Sequence, residues 1–239
     1  MKSLSIIKAG STHATTAERL GDFEEWIING LGSLPCPVEV VDAVRGMRLP
    51  EPRECAGVVV TGSHAMVTDD LPWSLAIEEW IPRLIDASVP FLGICYGHQL
   101  LGRAVGGEVG YHPLGREAGT VSVGLTAEAA GDPLFDGLPP GFLVHTTHDQ
   151  SVLRLPPGAV RLAGNRHEPN HAFRVGRCAW GVQFHPEYTR EVMETYLLDD
   201  AREDETEGKD AGLTVPTAGD APWAGRVLTN FATLAGRKT

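Results

Sequence analysis

Residues 90–107 read PFLGICYGHQLLGRAVGG. An apolar run, Pro90 to Ile94, enters Gly93-Ile94-Cys95-Tyr96-Gly97 and passes into a helical stretch that closes at Gly106-Gly107. The local pattern is G-x-C-x-G, the nucleophile-elbow pattern with sulfur in place of oxygen. A sharp strand-to-helix turn needs small residues on both flanks, and it lifts the central side chain out of the sheet edge. A cysteine there gains twice. The helix N-terminus favours its thiolate, and the backbone N–H of Tyr96 points where a tetrahedral oxyanion would form. The alternative is an inert buried thiol in a plain strand-to-helix turn.

A nucleophilic cysteine requires a base, and residues 180–189, WGVQFHPEYT, supply one. His185 follows a strand-like run that Pro186 forbids from continuing. Glu187, two residues on, can reach the imidazole from the same turn, fix its tautomer and stabilise its charged form. A third stretch, VVVTGSH at 58–64, is another strand ending in a small-residue turn. Such turns present backbone N–H groups at the carboxyl edge of an open parallel sheet, the usual ligand crevice. Gly62 and Ser63 are therefore candidates to complete an oxyanion hole with Tyr96, and His64 is read as a rim residue of the pocket.

Apolar runs rich in β-branched residues at Leu4–Ile7, Val38–Val41, Gly57–Val60 and Pro90–Ile94 predict buried strands. Helical spacing separates them. Leu20, Phe23, Trp26, Ile27 and Leu31 mark one face, and Leu75, Ala76, Trp80, Ile81, Leu84 and Ile85 another, with Pro82 expected to kink that helix or shift its boundary. After Gly107, β signals dominate at 120–125, 142–145, 160–163, 172–175 and 179–184. The expected fold is α/β: a mostly parallel sheet flanked by helices, with an antiparallel-rich second half completing the same single domain over 1–239.

Residues 199–210, DDAREDETEGKD, carry seven acids and two bases, and predict a solvated helix end or flexible insertion extending to about 222 rather than core. Val227, Leu228, Phe231 and Leu234 then restore helical spacing for a closing helix.

With 239 residues and a formal charge of -11, the chain can bury a sizeable core but offers no electrostatic grip on nucleic acid or an anionic membrane. No apolar run approaches a bilayer span, and no signal peptide is read at the start. Cys36, Cys55, Cys95 and Cys178 lack CxxC spacing, which suits a reducing, cytoplasmic setting. His145, His148, His167 and His171 fall on separate strand and loop signals without metal-site spacing, so neither a metal nor a cofactor is expected.

The motifs GICYGHQLLG at 93–102, GVQFHPE at 181–187 and TGSH at 61–64 resemble those of the class I, triad-type glutamine amidotransferase domain, over roughly Val38 to Thr189. The resemblance implies a flavodoxin-like module that hydrolyses glutamine and passes ammonia to a synthetase. It makes Cys95 the nucleophile that forms a γ-glutamyl thioester, His185 the general base and acid, and Glu187 the orienting carboxylate, with Ser63 and Tyr96 donating to the oxyanion. It further matches Gln99 to a substrate-binding glutamine, and Thr147, His148, Asp149 and Gln150 to the loop that receives the substrate α-amino and carboxylate groups. Two departures stand out: Ser63-His64 replaces a common Gly-Pro, and His148-Asp149-Gln150 a common His-Gly-Asp.

The chain has no P-loop GxxxxGK[ST] and too little length for a fused synthetase. Three readings follow: an amidohydrolase acting on glutamine, freestanding or serving a synthetase partner; a hydrolase of other γ-glutamyl amides or peptides; and a non-catalytic binding or regulatory subunit.

Overall fold

The Val- and Ile-rich runs become the centre of a nine-stranded sheet in a computed structural model that describes residues 2–206 and 218–236. In chain order the first half contains β1 (Ser3–Lys8), α1 (Ala14–Leu20), α2 (Phe23–Leu31), β2 (Val38–Asp42), β3 (Cys55–Val60), α3 (Pro72–Asp86), β4 (Phe91–Ile94) and α4 (Tyr96–Ala104). The second half contains β5 (Glu108–Tyr111), β6 (Glu117–Leu125), β7 (Gly141–His148), β8 (Gln150–Arg154), β9 (Val160–Gly164), β10 (Ala172–Val175), β11 (Ala179–Val182), α5 (Arg190–Thr206) and α6 (Arg226–Ala235).

The large sheet runs in the order β2-β1-β3-β4-β11-β10-β9-β6-β7, and β5 pairs with β8 in a separate two-stranded sheet. From β2 to β11 the neighbours are parallel, and from β11 to β7 antiparallel, as the sequence predicts. The decisive placement is β11, which returns from the second half and lies parallel to β4 with Gly181 opposite Gly93 and Val182 opposite Ile94. The chain leaving β11 therefore emerges beside the chain leaving β4.

Alternation along the central strands sends residues to two cores. Leu4, Ile6, Val59, Leu92 and Ile94 pack with Ile27, Leu31, Val227, Leu228 and Phe231 of α2 and α6. Ile7, Val58, Val60 and Phe91 pack with Ile77, Trp80, Ile81 and Leu84 of α3 and Leu100 and Leu101 of α4. Helices thus cover both faces. A third cluster, including Phe23, Trp26, Tyr188, Val192, Met193 and Tyr196, joins α2 to α5 above the sheet edge. Among the described residues no helix is long and apolar enough to cross a membrane.

Four expectations need correction. The apolar face expected across 20–31 belongs to two helices, because Gly21 adopts φ +85° after Leu20 and Asp22 forms a capping box that starts α2. Of the two effects expected at Pro82 the boundary shift does not occur, since α3 runs on through it; the buried Trp80, Ile81 and Leu84 hold it against the sheet despite the missing N–H. β7 runs on to His148, so only Asp149 separates it from β8, which was not expected as a strand. The acidic run begins inside α5, and its first residue is core: Asp199 is buried and accepts from the hydroxyls of Thr15 at 2.5 Å and Thr16 at 2.7 Å. Residues 207–217 of the expected insertion lie outside the described residues.

Candidate active site

The site lies at the carboxyl ends of β3, β4 and β11. Cys95 follows β4 and caps α4 with φ +50° and ψ -98°, a left-handed conformation that few non-glycine residues adopt. The turn is tight because two glycines permit it: a Cβ on Gly93 would lie 2.2 Å from the Gly97 carbonyl oxygen, and one on Gly97 would lie 2.6 Å from that of Val60. The Cys95 N–H donates to Val182 at 2.8 Å, continuing the β4–β11 ladder into the turn.

His185 stands three residues beyond Val182. Its N–H donates to the His145 carbonyl at 2.8 Å, which fixes the backbone across to β7. The ring Nδ1 lies 2.7 Å from Oε1 of Glu187, and the ring also hydrogen-bonds the Cys95 sulfur. With Nδ1 taken by the carboxylate, Nε2 is left for the sulfur. Cys95, His185 and Glu187 are all buried. Burial alone would lower the His185 pKa, but Glu187 and then the neighbouring Cys95 sulfur push it up to about 10. The second oxygen of Glu187 has no hydrogen-bond partner among the described residues, so its charge is directed at the imidazole. Tyr188 covers that imidazole, its ring stacked at 4.1 Å, with Phe23 of α2 further out at 6.3 Å.

Gly62 completes the constellation from β3. A methyl group there would sit 3.1 Å from His185 Cε1 and 3.9 Å from Cys95 Cβ. Ser63 and Tyr96 line the pocket with Cys95, and the Tyr96 hydroxyl is anchored away by Ser74 at 2.7 Å. The pocket encloses about 220 Å³ and has Gln99, Thr147, His148, Asp149 and Gln150 in its wall.

Several of these side chains are already committed. Both hydrogens of the Gln99 amide are used, on the Gln150 carbonyl at 2.7 Å and on Gln183 Oε1 at 3.1 Å, so Gln99 can offer a ligand only an acceptor. His148 is held by Glu117 at 3.3 Å and the Gln150 carbonyl at 3.0 Å, and the Gln150 amide donates to Thr68 at 2.6 Å. Asp149 keeps a half-buried carboxylate in the pocket wall. His64 lies at the rim, as expected, with its ring on the Tyr196 hydroxyl.

Residues 19–203 match the sequence model of the family described as glutamine amidotransferase class-I. The chain belongs to this family. A glutamine-hydrolysing GMP synthase from Aeropyrum pernix is 37% identical over 173 residues, covering 70% of this chain and 31% of that protein. A γ-glutamyl-L-1-hydroxyisopropylamide hydrolase from a Pseudomonas species is 32% identical over 152 residues, covering 61% of this chain and 52% of that protein. The chain thus spans about a third of the first relative and about half of the second. A crystal structure of a glutamine amidotransferase from Thermotoga maritima superposes with a TM-score of 0.75 at 23% identity, over 99% of both chains, and shows the same fold.

Within this class-I fold, four residues without a prior role join the site. Arg116, just before β6, lines the pocket, donates to the Thr147 hydroxyl at 3.1 Å and pairs with Asp200 of α5. Nothing in the periodicity around Arg116 marks it, and Asp200 lies in the run expected to be solvated. Gln183 and Tyr188 sit inside the His185 motif, where a spacing argument for the base passes over its neighbours. Among the histidines, His148 and His171 converge on Glu117, at 3.3 and 3.0 Å, and Asn165 donates to its other oxygen at 2.8 Å. Among the described residues no group of three His, Cys, Asp or Glu is arranged to hold a metal ion.

Proposed function

We propose that this chain hydrolyses the γ-carboxamide of glutamine through a Cys95 γ-glutamyl thioester. The observation that carries the reading is the buried sulfur–imidazole–carboxylate line of Cys95, His185 and Glu187 at the mouth of a strand-to-helix elbow. The Cys95 sulfur attacks the amide carbon, and the carbonyl oxygen takes the charge between the N–H groups of Ser63 and Tyr96, with Gly62 keeping the turn close. The His185 imidazolium protonates the leaving nitrogen, and ammonia departs. His185, now neutral, takes a proton from water as that water attacks the thioester, and glutamate is released with the thiolate restored.

The pocket suits the zwitterionic end of the substrate. Asp149 carries charge for the α-ammonium group, Gln99 offers an acceptor beside it, and Arg116 faces the α-carboxylate. Thr147, His148 and Gln150 shape this wall. No cofactor enters the scheme. The whole chain acts as one glutaminase unit in a reducing, cytoplasmic setting, and the ammonia is available to a synthetase partner.

A second reading, hydrolysis of larger γ-glutamyl amides, is favoured by the similarity to the Pseudomonas hydrolase and to γ-glutamyl peptidase 5 of Arabidopsis thaliana, at 31% identity over 139 residues. Glutamate release from glutamine by the purified chain, measured beside its Cys95→Ala variant, tests the first reading. Turnover equal in the two proteins would remove it.

A further inference from the structure

Gln183 stands between β11 and His185, fully buried, in a line of hydrogen bonds that ends on the nucleophile. Its Nε2 lies 3.5 Å from Cys95 Sγ, and its Oε1 accepts from Gln99 Nε2 at 3.1 Å. The same Gln99 nitrogen donates to the Gln150 main-chain carbonyl at 2.7 Å. A carbonyl oxygen can only accept, so Gln150 decides which end of the Gln99 amide faces it. With the Gln99 nitrogen fixed there, the atom of Gln183 that meets it must be oxygen. The Gln183 nitrogen is then turned to the sulfur. The Gln183 backbone is anchored as well, its N–H donating to the His171 carbonyl at 2.8 Å.

We propose that Gln183 donates its side-chain N–H to the Cys95 thiolate and is a catalytic residue of the thioester reaction, with Gln99 a positioning residue that holds the amide in the donating orientation. The inference deepens the function proposed above and takes its catalytic meaning from it. In the thiol form the sulfur has an acceptor for its hydrogen, the Thr147 carbonyl at 3.8 Å. That carbonyl repels a thiolate, so the ionised sulfur depends on donors. His185 supplies one, the α4 N-terminus contributes its dipole, and Gln183 supplies the other. A donor to a charged sulfur is strongest before attack and weakens as the charge passes to the oxyanion. Its role is therefore to set how much thiolate exists at neutral pH and where that thiolate points.

The titratable groups around the sulfur come from several elements. His185, with Glu187 behind it, and Tyr188 follow β11. His148, Asp149 and the Arg116–Asp200 pair share the pocket with Cys95, as do His64 and Tyr196, and Tyr96 opens α4. Substitution at 183 leaves all of them in place, so the difference from wild type isolates the amide.

The test is the pH dependence of Cys95 alkylation by iodoacetamide in the whole chain, which needs no glutamine. Gln183→Leu should raise the apparent thiol pKa by about one to two pH units, the effect of losing one donor to a charged group. Gln183→Glu should raise it further, by presenting a carboxylate to the sulfur. Gln99→Met should raise it too without adding charge near the sulfur, because the thioether cannot donate to Gln183 and the amide is free to turn. In glutamine turnover, Gln183→Leu should lower kcat about 10-fold at neutral pH and regain it at alkaline pH. A Gln183→Leu titration that superposes on wild type overturns the proposal, and an unshifted Gln99→Met overturns the positioning role.

Should the variants not fold, the Gln183 side-chain amide resonance in the wild-type chain must move with the Cys95 titration and stay still in Cys95→Ala. An unmoved wild-type resonance also overturns the proposal. The two ideas fail separately: shifted titrations without glutamine turnover would sink the glutaminase reading alone, and turnover with coincident titrations would sink the amide relay alone.

Discussion

The Cys95 N–H and the Val182 carbonyl are joined at 2.8 Å, one step past the last paired residues of β4 and β11. That single bond explains why two motifs almost ninety residues apart form one site. The parallel register puts Gly181 beside Gly93, so the chain that leaves β11 must pass the elbow before Pro186 turns it away.

The first prediction concerns the four thiols. Cys95 has a base in reach, whereas burial pushes the Cys55 and Cys178 thiols up, and Cys36 has no base described beside it. A glutamine-mimicking electrophile should label Cys95 far faster than the other three, and Cys95→Ser should abolish turnover with the fold retained. Peptide mapping after brief labelling and circular dichroism check this. Equal labelling of all four thiols would contradict it.

Replacements of His185 and of Glu187 should differ in severity. On the proposed mechanism His185→Ala removes the proton shuttle and should lower kcat by roughly 10³-fold or more, while Glu187→Gln should be about one to two orders of magnitude milder. The sign of the pH effect follows from the cause of the His185 shift. Its pKa, pushed up to about 10 by Glu187, should fall when that charge is removed, so the alkaline limb of kcat moves to lower pH in Glu187→Gln. A limb that stays in place would remove the Glu187 role.

Much of this site is legible in the residues themselves. The G-x-C-x-G flanks state that a turn must be tight, and the missing side chains of Gly93 and Gly97 let it close. His185 and Glu187 are two residues apart, so their contact is local. What the sequence hides is non-local or masked by a stronger signal. The Arg116–Asp200 pair depends on how α5 lies over β6, and Asp200 belongs to a run whose charge reads as solvation. The alternation of β5 and β8 is too short to register beside the long strands. The break at Gly21 is overridden in a periodicity reading by apolar residues that continue on both sides of it.

Gly62 should tolerate no side chain. The methyl of Gly62→Ala would lie 3.1 Å from His185 Cε1, tighter than ordinary contact, and the ring must move by a few tenths of an ångström to make room. Misplacement on that scale should lower kcat about 10-fold with KM nearly unchanged, since the base shifts and the substrate-binding wall does not. Steady-state kinetics on glutamine decide it, and an equal rise in KM would place Gly62 in binding instead.

Glu117 ties stability to pH. Burial alone would raise its pKa, but hydrogen bonds from His148 and His171 hold it well below the usual carboxylate range. A depressed folded pKa gives stability that is present above the unfolded value of about 4.5 and is lost as pH falls below it. Glu117→Gln should cost about 1.5–3 kcal/mol at neutral pH, the value of hydrogen bonds to a charged group, and should flatten the loss of stability below pH 4.5. Denaturant melts across that range measure both. A variant whose stability falls with acid as steeply as wild type would show that other carboxylates govern the acid limb.

The final prediction separates the two substrate readings. Under the proposed function either substrate presents the same γ-glutamyl unit to Asp149, Arg116 and Gln99, so discrimination must arise beyond the scissile bond. The pocket edge at His64, Tyr196 and Asp200 is built by this chain itself: His13 contacts Asp200 at 2.9 Å and meets His64 edge-on, and the His64 ring meets the Tyr196 hydroxyl. Asp199 bonds Thr15 and Thr16, fastening α5 to α1 across the same edge. An edge built by the chain's own side chains should leave room for ammonia and obstruct a bulky amine. Glutamine should therefore exceed γ-glutamyl dipeptides in kcat/KM on the purified chain. If a larger leaving group were bound productively, its binding energy would appear in kcat/KM. A dipeptide preference of about 100-fold, equivalent to about 2.7 kcal/mol of transition-state binding, would reverse the order of the two readings. His64→Ala sharpens the comparison, because opening the rim should improve the dipeptide more than glutamine. Equal effects on both would show that this edge does not select the leaving group.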